Sequence, residues 1–335
     1  EDYLHFIFHT KHIEHKFIMI FKFEPIYQER VWGGDMFSRF LGRKSLPYDK
    51  IGESWDIVDR ENLSSKLINL GKEKLSLRAL IESNPENILG RNWKKDDKFP
   101  ILVKWLDCSD RLSLQVHPPT SIAKSLNGEP KTENWYIANA NPNAGLFAGL
   151  KNGTTKEDFA KSLKNGQAEK YCHRIESKRD SSILIESGRI HAIDSGNLIL
   201  EIQQNSDTTY RVYDWDRDGL NGKPRELHLE QSMKSIDFED YEPNLLNTTK
   251  DIGIETIAHC KEFRIRKCNL NPKDLIHLKD ENIDCLLIHV VEGSIMVGDE
   301  QINLGEHGMS PYSDSCTVQS NEQSTFLVTD QFSQL

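Results

Sequence analysis

Gln115 and His117 stand two residues apart in Leu114-Gln115-Val116-His117-Pro118-Pro119. In an extended strand that spacing puts an amide oxygen and an imidazole on one face, while Leu114 and Val116 point into the opposite layer. Two further segments carry the donors that a metal site would still need. Lys131-Thr132-Glu133-Asn134-Trp135-Tyr136 offers a carboxylate two residues from a lysine, and Glu186-Ser187-Gly188-Arg189-Ile190-His191 places a histidine just after a glycine turn. Gln115, His117, Glu133 and His191 together make two imidazoles, one carboxylate and one amide oxygen. That set suits one Zn²⁺ per chain, with a position left for water or a substrate oxygen.

A polar wall is expected beside it. The run Leu200 to Trp215 has two strand-like halves that alternate polar and apolar residues, so Glu201 and Gln203 share a face, as do Arg211 and Tyr213. A buried polar group left unsatisfied costs about 1–3 kcal/mol, so this many polar residues at inward-capable positions predict a polar pocket rather than a plain core. The alternative is an internal ion network among Glu201, Arg211 and Asp214.

The elements that must hold these residues read as short strands between turns rich in Gly, Asn, Asp and Pro, the pattern of a β-sandwich or barrel. They include Phe99 to Leu106, Ser113 to Val116, Ala144 to Leu150, Ser182 to Glu186, Leu198 to Gln203 and Thr209 to Tyr213. Few helices are predicted. One spans Leu77 to Leu89. A second opens at Thr154, with Glu157 at capping-box spacing, and runs through Phe159 and Leu163. A third covers Arg225 to Ile236, where Leu229, Met233 and Ile236 recur at helical spacing.

After a polar stretch from Asp237 to Asp251, a second strand-rich block begins, with the spacing of a smaller jelly roll of the cupin kind. The expectation is a mainly β chain of two cupin-type jelly-roll sandwiches with a few peripheral helices. The divisions are an extension over 1–18, a catalytic domain over 19–250 and a C-terminal domain over 251–335. His259, His277, His289 and His307 of the last block have no carboxylate at ligand spacing and read as structural. In the extension, His5, His9, His12 and His15 would share one face of a helix, a weaker candidate metal patch.

Composition narrows the function. A net charge of -10 argues against a nucleic-acid surface, which needs clustered Lys and Arg. Apolar runs such as Cys285-Leu286-Leu287-Ile288 are too short to span a bilayer, so no membrane anchor is expected. The six cysteines lack CxxC spacing and read as reduced thiols of a cytoplasmic protein.

Several of these segments resemble, in order, the motifs of type I mannose-6-phosphate isomerases. They are Gln-Val-His-Pro at 115–118, Lys-Thr-Glu-Asn-Trp-Tyr at 131–136, Gly-Arg-Ile-His-Ala at 188–192 and the stretch Glu201 to Asp214. Trp32-Gly33-Gly34, Ile51-Gly52-Glu53-Ser54-Trp55 and Pro224-Arg225-Glu226-Leu227-His228 fit the same pattern. The resemblance covers about Phe21 to the C-terminus and is to the short bacterial form. One departure is Glu186-Ser187-Gly188-Arg189, where relatives often carry a proline-containing turn. The resemblance implies a zinc site on Gln115, His117, Glu133 and His191, a catalytic arginine on Arg211, and mannose 6-phosphate and fructose 6-phosphate as the phosphosugar substrates.

Such a reaction moves a proton between C1 and C2 through an enediol. Lys131 is the first candidate for that proton, on the expectation that burial beside a metal lowers its pKa toward neutrality. Glu201 and a metal-bound water are its rivals, and Ser113, Lys131 and Arg211 are candidates for binding substrate. A metal-dependent oxygenase and a non-catalytic sugar-binding cupin are the competing functions. The oligomeric state, monomer or dimer, is left open.

Overall fold

Alternating side chains decide what each strand buries, and the computed structural model, which describes residues 19–70, 75–278 and 284–332, builds antiparallel sheets from that alternation. The four histidines of the N-terminal extension lie outside the described residues. Two compact units form. One comprises Pro25–Val58 and Pro100–Thr249, the other Asp59–Phe99 and Lys250–Leu335 with the segment that ends at Glu24. Asp59–Phe99 therefore belongs with the C-terminal strands and not with the sequence on either side of it.

The first unit has a seven-stranded sheet in the order Ile26–Gly34, Ile51–Ile57, Ile101–Cys108, Asn197–Gln204, Glu133–Ala140, Ser181–Ile185, Leu246–Asn247. Its second sheet has five strands, in the order Tyr210–Tyr213, Leu114–Val116, His191–Ile193, Gly145–Leu150, Cys172–Glu176. A core of Leu106, Trp135, Ile137 and Ile199 from one sheet and Leu146, Ala148 and Ile193 from the other joins them. Along several strands the inward row changes character within a few residues. Lys104 gives way to Leu106 and Cys108, Glu201 to Ile199, Glu133 to Trp135 and Ile137, and His191 to Ile193. Register aligns these changes, since Glu201 lies opposite Lys104 on one neighbour and opposite Trp135 on the other. One half of the sandwich interior is thus apolar and the other half polar. A slip of one residue would turn every polar row outward.

Leu114 and Val116 point the other way, as their spacing predicts. They pack with Phe147, Ala192 and Val212 against Phe159 and Ile236. The helices Lys156–Lys164 and Leu229–Ser235 flank that layer. The predicted helices need correction at their ends. Leu77 to Leu89 is two short helices, Leu77–Ser83 and Pro85–Ile88, because Pro85 has no N–H to continue the first and Asn84 caps the second through its side chain. The helix expected from Thr154 is capped by Thr155, whose hydroxyl oxygen accepts the Asp158 N–H at 3.1 Å. Helix forms only from Leu229, not Arg225.

In the second unit a five-stranded sheet contains Gly253–His259, Arg264–Leu270, Ser324–Asp330, Leu286–Glu292 and His307–Ser310. A four-stranded sheet of Leu275–His277, Thr317–Ser320, Ser294–Val297 and Glu300–Asn303 completes this smaller sandwich, with Ile288, Val290, Ile295, Val318 and Phe326 in its core. His289 and His307 face each other across adjacent strands, and His289 Nε2 lies 3.0 Å from Thr329 Oγ1. No helix among the described residues is long and apolar enough to cross a membrane.

Gly188 links the fold to the site. It sits at φ +98°, its N–H donates to the His117 carbonyl at 2.8 Å, and Arg189 N–H closes the turn on the Glu186 carbonyl. The turn thus forms here without a proline. An added Cβ would meet nothing closer than 3.4 Å, so the penalty of a side chain is one of backbone conformation. Gly188→Ala is expected to destabilise the protein by about 1–2 kcal/mol, read by urea unfolding. An unchanged midpoint would show that the turn relaxes freely.

Candidate active site

His117 follows the strand Leu114–Val116, His191 opens the strand paired beside it, and Glu133 opens a strand of the opposite sheet. The three converge. His117 Nε2 lies 3.4 Å from Glu133 Oε2 and His191 Nε2 lies 3.5 Å from Glu133 Oε1. All three ligand atoms fall within 4.8 Å of one another, and all three residues are buried. Each imidazole is oriented from behind: the Nδ1 atoms lie 2.8 Å from the carbonyls of Thr208 and Arg189, which only an Nδ1–H can bond. Both Nε2 lone pairs therefore point at the carboxylate.

Electrostatics keep that arrangement aprotic. Burial and the Lys131 charge outweigh Glu133 and push His117 down to about 3, and burial likewise lowers His191. Burial would raise Glu133, but the Lys131 ammonium beside it holds it well below the usual carboxylate range. Lone pairs of neutral imidazoles thus face an ionised carboxylate. His117 Nε2 and both Glu133 oxygens make no hydrogen bond, Lys131 meeting Glu133 Oε2 as an ion pair at 2.8 Å. A divalent cation fits this donor set, because it alone would satisfy all of these atoms together. Gln115 also reaches the cluster. Its Nε2 lies 3.2 Å from His191 Nε2 and its Oε1 3.3 Å from Ser113 Oγ, and a half-turn of the amide exchanges the two ends.

A cavity of about 580 Å³ opens beside this cluster, and Ser113, Gln115, Lys131, Glu201 and Arg211 all line it. Glu201 accepts from Trp135 Nε1 at 2.9 Å and lies 3.6 Å from Lys104 Nζ and 3.8 Å from Lys131 Nζ. Burial and the charge of Glu133 raise its pKa against those cations. Lys131 moves opposite to the sequence expectation. Burial would lower it, but Glu133 and Glu201 outweigh burial and hold the ammonium protonated.

The single network of Glu201, Arg211 and Asp214 does not form. Asp214 pairs with Arg217 and Arg225, Glu201 with the two lysines, and Arg211 Nη1 donates to the Glu226 carbonyl at 2.8 Å. Gln203 turns its amide to the carbonyls of Gln204 and Ser206 and shapes a turn instead of the cavity.

The sequence reading missed Lys104 and the group around it. Lys104 Nζ sits 4.6 Å from the Trp55 ring centroid and 3.8 Å from Glu53, and Glu53 also holds Arg30 and Trp55 Nε1. The signal was a lone charge in the apolar run Ile101-Leu102-Val103-Lys104-Trp105-Leu106. Burial would raise Glu53, but Lys104 and then Arg30 hold it down at about 2. A depressed carboxyl stabilises the fold above its unfolded value of about 4.5 and loses that contribution as pH falls toward 2. Glu53→Gln should therefore be less stable than the parent by on the order of 2–3 kcal/mol at pH 7, and the gap should narrow steadily as pH falls from about 4.5 toward 2. Urea midpoints across that range decide it; a gap independent of pH would remove the charge from the explanation.

The description "Phosphomannose isomerase type I, catalytic domain" matches residues 20–163. A mannose-6-phosphate isomerase of Bacillus subtilis is 35% identical over 299 residues, 87% of this chain and 92% of the relative. One from Streptococcus mutans is 36% identical, covering 86% of this chain and 92% of the relative. The crystal structure of the mannose 6-phosphate isomerase from Bacillus subtilis superposes with a TM-score of 0.82 at 29% identity, over 93% of this chain and 99% of that one. With sequence and fold in agreement, the chain belongs to the type I phosphomannose isomerase family.

Proposed function

We propose that this chain is a Zn²⁺-dependent isomerase that interconverts mannose 6-phosphate and fructose 6-phosphate through an enediol. The observation that carries the reading is the convergence of two neutral imidazoles and one ionised carboxylate on a point at the edge of a charged cavity. Nitrogen and oxygen donors without thiolate suit zinc, and a buried amide as the fourth donor adds no further negative charge. When bound, the ion supplies Lewis-acid polarisation of the sugar oxygens without changing redox state. His117, His191 and Glu133 hold it, with Gln115 as the fourth ligand.

The remaining side chains divide the work of isomerisation. A proton leaves C2 of the aldose and returns to C1, while negative charge passes between the two oxygens. Arg211 is permanently cationic and lines the cavity, which suits its guanidinium to stabilise the enediolate oxygen. Glu201 is the group suited to carry the proton, since it lines the cavity, lies between two ammonium groups and has a pKa raised by burial and by the charge of Glu133. Lys131, held protonated, balances Glu133 and Glu201 and with Ser113 offers donors to the phosphate or the sugar hydroxyls. All six cysteines are free thiols, which fits a reducing, cytoplasmic setting.

The central test is conversion of mannose 6-phosphate, coupled to detection of fructose 6-phosphate, with metal content measured before and after chelation. The expected result is one zinc per chain and activity that chelator removes and zinc restores. No conversion by the zinc-loaded protein would favour a sugar-binding role instead. His117→Ala should lose metal and activity together. Arg211→Ala should keep its zinc and lower kcat by about 10²–10³-fold; near-normal turnover would take Arg211 out of the mechanism. Glu201→Gln should lower kcat by about 10²–10⁴-fold, whereas Lys131→Met should leave the acid limb of the pH profile in place.

A further inference from the structure

Arg211 is placed by a strand with no further strand on one side. Among the described residues, Tyr210–Tyr213 is the edge of its five-stranded sheet, paired only with Leu114–Val116. Arg211 and Gln115 stand opposite each other in that ladder, and the register shifts between Arg211 and Tyr213. In an antiparallel sheet one residue's N–H and C=O point to the same side, so those of Arg211 face the open edge. Among the described residues, His228 occupies it. The His228 N–H donates to the Arg211 carbonyl at 2.8 Å, and the Arg211 N–H donates to His228 Nδ1 at 3.1 Å.

We infer that His228 is the positioning residue of Arg211, its main-chain N–H and its imidazole Nδ1 standing in for the donor and acceptor of an absent neighbouring strand. A ring nitrogen replaces a carbonyl in that pair. The acceptor requires a lone pair on Nδ1, which fixes a neutral ring with its proton on Nε2. Two residues earlier, the Glu226 carbonyl accepts from the Arg211 guanidinium at 2.8 Å, so the Pro224–His228 segment grips the arginine at both its main chain and its tip. The Asp214 carboxylate, held by Arg225 at 2.5 Å, ties the start of that segment to the end of the strand. His228 also begins a helix, because its carbonyl accepts the Ser232 N–H. The edge strand and the helix Leu229–Ser235 thus meet at one residue, and a shift there moves the guanidinium.

This inference rests on the catalytic role proposed for Arg211, and the test separates the two. Full-length zinc-loaded protein is compared as His228→Leu, which removes the acceptor, as His228→Asn, whose Oδ1 sits near the position of Nδ1 and restores it, and as Arg211→Ala. His228→Leu should lower kcat by about tenfold or more with KM within about twofold and zinc retained, and His228→Asn should recover kcat to within about threefold of the parent. Amide hydrogen exchange gives a readout independent of activity: the Arg211 amide should be protected in the parent and in His228→Asn, and exchange faster in His228→Leu. If Arg211→Ala collapses while His228→Leu keeps parental kcat and exchange, the positioning role is overturned and the arginine's role stands. If Arg211→Ala itself keeps parental kcat, the catalytic reading fails, and the exchange result alone decides whether His228 holds the strand. An Asn variant as impaired as Leu in both measurements overturns the acceptor argument.

Discussion

Two imidazole lone pairs aimed at an ionised carboxylate, all buried, form an arrangement that protein atoms alone do not satisfy. Much of the first unit is arranged around that demand. The carbonyls of Thr208 and Arg189 take the Nδ1 protons and so force both Nε2 atoms forward. Lys131 supplies the nearest compensating charge, and Glu201 and Lys104 extend it into an alternating chain of acids and bases along the cavity wall. Each member keeps its neighbours in the charge state the site needs, which is why Lys131 stays an ammonium despite its burial.

The sandwich reconciles this polar cluster with stability by dividing its interior. The inward rows are charged at one end and apolar at the other, so the core of Leu106, Trp135, Ile137, Ile193 and Ile199 fastens the sheets while the opposite half is left to chemistry. On the far side of the five-stranded sheet, Leu114 and Val116 anchor the short strand that presents Gln115. This three-residue strand is held on both of its faces.

Positioning of the rest of the site depends on hydrogen bonds that leave no pattern in the sequence. Arg189 shows the economy of this. Its guanidinium meets both Asp240 oxygens at 2.8 Å while its carbonyl orients His191, so one residue fastens the loop and the imidazole together. Asp240 is about fifty positions away, and nothing in the spacing foretells the pairing. Glu53 and Trp55 stood in a family-like segment, but their grouping with Arg30 and Lys104 was not legible, since only the pairing of Ile51–Ile57 with the strands on either side of it brings the four together.

The sequence by itself determined which residues alternate and which types recur, because a strand's period of two is a local property: Gln115 with His117, Leu114 with Val116, and the polar members of the Glu201 and Arg211 strands were legible there. Tertiary structure decided what those faces meet. The break at Asn84-Pro85, the cap at Thr155 and the turn held by Gln203 are local arrangements that the period of the pattern overlooked, whereas tertiary structure separated Asp214 from Arg211 by giving it to Arg225. It also reversed the expected direction for Lys131, because a charge in a low-dielectric interior answers to the charges within a few ångströms of it, and those neighbours come from strands far apart in the chain.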